Sequence, residues 1–155
     1  MIDQLNQLTH TNTQATPMKK HNIIMTAADH EELSYAIAAA GKFSQRGRVE
    51  MGALEAELTR AEILEAKYLP PDVITMNSRA ELIDLDSGER MEFTLVFPSD
   101  ANIEAGKISV LAPLGTAMLG YRVGDEFEWH VPYGTRRFKV NRVYFQPEAE
   151  LKKAA

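Results

Sequence analysis

The sequence predicts an α+β protein: a short N-terminal antiparallel helical hairpin of coiled-coil type, then an antiparallel sheet domain with one short helix. Three observations carry that reading. Between Thr26 and Tyr68, apolar residues recur every three or four positions, which is the helical period. From Asp72 onward the period changes to two, as in strands. Late in the chain, ISVLAPLGTAMLGYRVGD (Ile108 to Asp125) is strongly apolar but is broken by Pro113, Gly115, Gly120 and a Gly124-Asp125 turn. Its pieces suit a strand, a helix of one or two turns and a sharp turn.

Residues 1–22 are rich in Thr, Asn and Gln and read as a disordered tail, with Met18 as an alternative start. They lack the basic start and apolar run of a signal peptide. The hairpin is assigned to 23–69. Thr26 followed by Asp29 resembles a capping box with an acid in place of the usual Glu. Leu33, Ile37 and Ala40 then share one face of a helix from about Ala27 to Gly41, a length of about 20 Å. Gly41 to Arg48 reads as a polar loop. Met51, Leu54, Leu58, Ala61, Leu64 and Tyr68 form the stripe of a second helix, stopped by Pro70-Pro71. Two such helices bury their stripes against each other.

The sheet domain is assigned to 70–149, with a tail at 150–155. Asp72 to Met76 and Arg79 to Asp84 read as strands. A turn at Asp86-Ser-Gly-Glu89 leads into the return strand Arg90 to Phe97. A loop at 98–106 precedes a strand from Lys107 to Leu111. After the short helix, Glu126 to Val131 and Arg136 to Phe145 complete the sheet, joined by a turn at Tyr133-Gly134.

At 155 residues the chain suits one domain, or a small domain with an appendage. The absence of cysteine excludes disulfides, thiolate metal sites and cysteine nucleophiles, and fits a reducing cytoplasm. A net charge of −5 argues against nonspecific nucleic-acid binding, and no sequence-specific nucleic-acid partner is expected. No apolar run approaches the roughly 20 residues needed to cross a bilayer, so no membrane partner is expected. His10, His21, His30 and His130 show no ligand spacing, and no phosphate loop, dinucleotide fingerprint or nucleophile elbow is present. No catalytic residue, metal or cofactor is therefore expected. Trp129, at strand spacing from Phe127, reads as core.

The stretch Pro-Leu-Gly-x-Ala-x-Leu-Gly, followed by Val123-Gly-Asp125 and a strand, is similar to the C-terminal signature of the Gre transcript-cleavage factors. Within that family, Pro71-Asp-Val-Ile-Thr-Met-Asn-Ser-Arg79, Ser109-Val-Leu-Ala-Pro-Leu-Gly115 and Phe145-Gln-Pro-Glu-Ala149 resemble the subgroup of regulators of nucleoside diphosphate kinase. The resemblance spans roughly Asn22 to Glu150. It implies an FKBP-like fold for the sheet domain. It also implies a partner, bacterial RNA polymerase, with the sheet domain at the mouth of the secondary channel and the hairpin pointing inward. Leu111, Ala112, Pro113 and Leu114 resemble the family's polymerase-docking loop, although Leu111 and Ala112 replace the usual acid and serine. Leu111 and Leu114 read equally well as core.

The hairpin tip departs from the pattern. A cleavage factor presents an acidic pair on a long hairpin, because magnesium is a hard ion that takes oxygen ligands. Here Lys42, Arg46 and Arg48 stand there with no acid between them, Glu50 follows alone, and the hairpin is shorter. The expectation is a monomeric, nonenzymatic regulator that competes with Gre-type factors. Two alternatives are an active cleavage factor using Glu50 with Glu31 or Glu32, and a peptidyl-prolyl isomerase.

Overall fold

Two helices lean on a five-stranded sheet in the computed structural model, which describes residues 22–41, 45–131 and 134–154. In chain order the elements are β1 (Ile24–Met25), α1 (Ala27–Gly41), α2 (Gln45–Arg60), β2 (Glu62–Ile63), β3 (Arg79–Asp84), β4 (Arg90–Val96), β5 (Lys107–Ser109), α3 (Pro113–Met118), β6 (Glu126–Val131), β7 (Gly134–Phe145) and α4 (Pro147–Ala154).

Helix α1 begins where the capping residues predict it. The amide of Asp29 donates to Thr26 Oγ1 at 3.2 Å, satisfying a donor of the first turn that the helix itself leaves unpaired. Leu33 and Ile37 are buried, as are Leu54 and Leu58 on α2. Across the pair, His30 Nε2 donates to the Leu58 carbonyl at 2.9 Å, near the C-terminal end of α2.

The second helix differs from its predicted span at both ends. It starts at Gln45, inside the stretch read as loop, and stops at Arg60 instead of running to Tyr68. The early stop has a long-range cause. The Glu62 amide donates to the Ile23 carbonyl at 2.8 Å and the Leu64 amide to that of Met25 at 3.0 Å, so β2 joins β1 in a small parallel sheet. Tyr68, the last member of the predicted stripe, is 63% exposed.

The main sheet has the order β5-β4-β3-β7-β6. All its pairings are antiparallel except β4 with β5, which corrects the purely antiparallel expectation. The segment Asp72 to Met76 is also not a strand. Residues 73–76 are all buried, so the alternation of a half-buried strand is absent. The segment is tied down by Gln146 Nε2, which donates to the carbonyls of Pro70 and Val73 at 2.7 and 2.8 Å. At the C-terminus, the expected tail at 150–155 is instead helical through Ala154, with Glu148 and Glu150 in the first turn of α4 and Lys152 and Lys153 in the last. Those charges oppose the helix dipole favourably at both ends.

One sheet face is core. Phe127, Phe138 and Val140 are buried there, with Trp129 half-buried beside Phe138 at a ring-centroid distance of 5.8 Å. The opposite face sets opposite charges directly across from one another: Glu81 with Arg142, Glu126 with Lys139, Glu128 with Arg137. One charge points the other way. Asp84 is fully buried at the end of β3, where it accepts from the amides of Asp86 and Ser87 and from the Arg136 guanidinium.

Hydrogen bonding from Arg136 holds the Asp84 carboxyl below its ordinary value of 3.8. Its contribution is therefore present above that value and is lost as pH falls through the lower folded one. Asp84→Ala is expected to lower the melting temperature at pH 7 by about 5 °C or more, because the turn and Arg136 lose one shared acceptor. Melts compared at pH 7 and below pH 3.8 check this: the difference between wild type and variant should shrink in acid.

Candidate functional site

The turn from Ser109 to Leu114 is built to hold one shape. The Leu111 amide donates to Ser109 Oγ at 3.0 Å and the Ala112 amide to the Ser109 carbonyl at 3.0 Å. Thr116 Oγ1 reaches back to the Val110 carbonyl at 2.6 Å. Pro113 then opens α3, where its missing donor is not needed.

This frame separates the four residues picked from the sequence. Leu114 is 4% exposed and belongs to the core. Leu111 and Ala112 are half-buried and pack against it, while Pro113 is exposed. An uncharged edge thus reaches solvent on a rigid turn, and covering it with a partner requires no charge to be desolvated.

Leu111 also lines a groove between the two parts of the molecule. Phe97 and Pro98, following β4, form one wall, and Tyr35, Ala36 and Ala39 of α1 form the other. Tyr35 is 77% exposed. Sequence reasoning passed over it because it lies off the Leu33–Ile37–Ala40 stripe. The available signal was an aromatic residue on the helix face that the stripe leaves to solvent.

Of the tip residues, Lys42 lies outside the described residues. Arg46, Arg48 and Glu50 fall within the first two turns of α2 by their backbone. Glu31 and Glu32 are exposed on α1. Among the described residues, no group of three or more His, Asp or Glu is placed to hold a metal ion. No helix among them is long and apolar enough to cross a membrane.

Residues 69–145 match the family model described as transcription elongation factor, GreA/GreB, C-terminal. The chain belongs to this GreA/GreB family. It is 36% identical over 133 residues to the regulator of nucleoside diphosphate kinase of Escherichia coli (strain K12), covering 85% of this chain and 96% of that protein. It is 32% identical over 145 residues to transcription elongation factor GreA of Chlorobium phaeovibrioides, covering 92% of this chain and 89% of the relative. The solved structure of a prokaryotic transcription elongation factor GreA/GreB from Nitrosomonas europaea superposes with a TM-score of 0.66 at 38% identity, over 81% of this chain and all of that one.

Proposed function

We propose that the chain is a nonenzymatic transcription regulator that docks on bacterial RNA polymerase at the secondary channel and competes there with Gre-type factors. The observation that carries this reading is the exposed Pro113 on its braced turn, flanked by half-buried Leu111 and Ala112 and anchored by buried Leu114. Leu111 and Ala112 stand where the family commonly has an acid and a serine, and the resulting uncharged edge can be covered by a partner without desolvating a charge. The groove beside it, with exposed Tyr35, extends that surface onto the hairpin.

The tip argues for docking without cleavage. Transcript cleavage requires a second magnesium ion held by carboxylates. From Gly41 to Val49 the sequence holds Lys42, Arg46 and Arg48 and no acid. Cations repel a divalent ion, more strongly where water is scarce. With α1 of 15 residues, the first arm is only about 22 Å long.

Co-elution with core polymerase tests the docking. The chain is expected to co-elute and to be displaced by excess Gre factor; co-elution that Gre factor leaves undiminished places the site elsewhere. In backtracked complexes saturated with the chain, RNA cleavage should proceed at the rate seen without it. Acceleration would assign the chain to the active cleavage factors.

A further inference from the structure

The linker that joins the hairpin to the sheet runs through the interior without regular structure. Leu69 and residues 73–76 are buried, so their backbone groups need partners inside the protein. On one side the linker is bonded to the chain just after α3. The Ile74 amide donates to the Tyr121 carbonyl and the Gly120 amide to that of Ile74, both at 2.9 Å. On the other side its partners are side chains from the C-terminal end of the protein. Gln146 Nε2 holds the Pro70 and Val73 carbonyls, and Lys152 Nζ donates to the Leu69 carbonyl at 2.6 Å. Thr75 Oγ1 donates to the Glu148 carboxylate at 2.7 Å. The Thr75 amide and hydroxyl each lie 2.9 Å from Ser78 Oγ, which carries the contact to the foot of β3.

Helix α4 makes these bonds without an apolar face in the core. From Gln146 to Lys153, only Gln146 and Glu148 are buried, and both are polar. The large apolar residue of the helix, Leu151, is 63% exposed. A helix seated by buried apolar side chains must bring them into water to leave its site. The hold of α4 rests instead on directed hydrogen bonds, each of which water can replace.

We propose that α4 is a releasable strap on the linker. Seated, it fixes the base of the hairpin to the sheet domain; lifted, it frees the linker while the five-stranded sheet stays intact. Lifting gives the carbonyls of Leu69, Pro70 and Val73 and the Thr75 hydroxyl to water, so it costs only part of global unfolding. The strap belongs to the free chain and stands whether or not the chain binds polymerase.

Native-state amide exchange on the full chain tests this. The amides of Val73 and Thr75 should exchange through an opening at least about tenfold more populated than the one that releases β3. Lys152→Met keeps an exposed stem but loses the bond to Leu69. It should speed exchange at Val73 and Thr75 roughly fivefold and leave β3 unchanged. Gln146→Ala removes two bonds and should speed it further. Because the chain has no cysteine, spin labels at Glu31→Cys and Glu128→Cys report the hairpin against the sheet. Wild type should give one narrow distance distribution and Gln146→Ala a broader one. The proposal is overturned if Lys152→Met leaves Val73 and Thr75 at wild-type rates, or if these amides exchange only together with β3. A folded Gln146→Ala variant with the wild-type distance distribution overturns it as well.

Discussion

Leu114→Asp should melt at least about 10 °C below wild type, whereas Pro113→Asp should stay within about 2 °C of it and lose polymerase binding. The two positions are adjacent, yet they face opposite environments. Leu114 is 4% exposed and packs in the main core, so a carboxylate there must leave water on folding and finds no cation. Such burial costs several kcal/mol, about half the stability of an ordinary domain. At exposed Pro113 the new charge remains hydrated in the free protein. It would be dehydrated only in a complex, so the loss should appear in affinity and not in the melt. Circular dichroism melts paired with polymerase co-elution read both effects. A Pro113→Asp variant that binds like wild type would remove Pro113 from the docking surface.

Gly115→Ala and Gly120→Ala should each cost at least about 3 kcal/mol, read as shifted urea midpoints. A Cβ at position 115 would lie 2.0 Å from the Ser109 carbonyl oxygen. The obstacle is backbone, so relief requires α3 to move off the sheet and carry Pro113 with it. At position 120 the added carbon would meet Ile23 Cγ2 at 2.2 Å and Cβ at 2.6 Å, on a backbone with φ of +86°. Strain and clash act together there, against the residue that leads into β1. Gly52→Ala supplies the control: it sits exposed within α2 with nothing within 4 Å of the added carbon. It should stabilise by roughly 0.5–1 kcal/mol, because alanine favours a helix. A shared loss at all three positions would contradict the close approaches.

Helix α1, the β3–β4 hairpin and the β6–β7 pair were legible because each depends on neighbours close in sequence. Thr26 and Asp29 cap α1, Leu33 and Ile37 mark its buried face, and Asp84 binds the turn two and three residues ahead. The glycine-broken stretch also announced its own strand, helix and turn. The family followed from residues in three separated blocks, and the candidate docking turn came with it.

Several of the differences depend on a partner far along the chain. A helix continuing past Arg60 satisfies the apolar period, but the carbonyls of Ile23 and Met25 capture the amides of Glu62 and Leu64 first. The 72–76 segment alternates acceptably as a strand until Gln146, more than seventy residues away, binds the carbonyls of Pro70 just before it and Val73 within it. Tyr35 becomes a groove wall only because Phe97 and Leu111 arrive opposite it. Sequence alone determined the helical and strand periods, the caps, the broken apolar stretch and the acid-free tip, all properties of residues within a few positions of one another. Tertiary structure decided that Pro113 of the candidate docking turn faces out while Leu114 belongs to the core. Burial and charge proximity are set by distance in space, which local spacing does not encode.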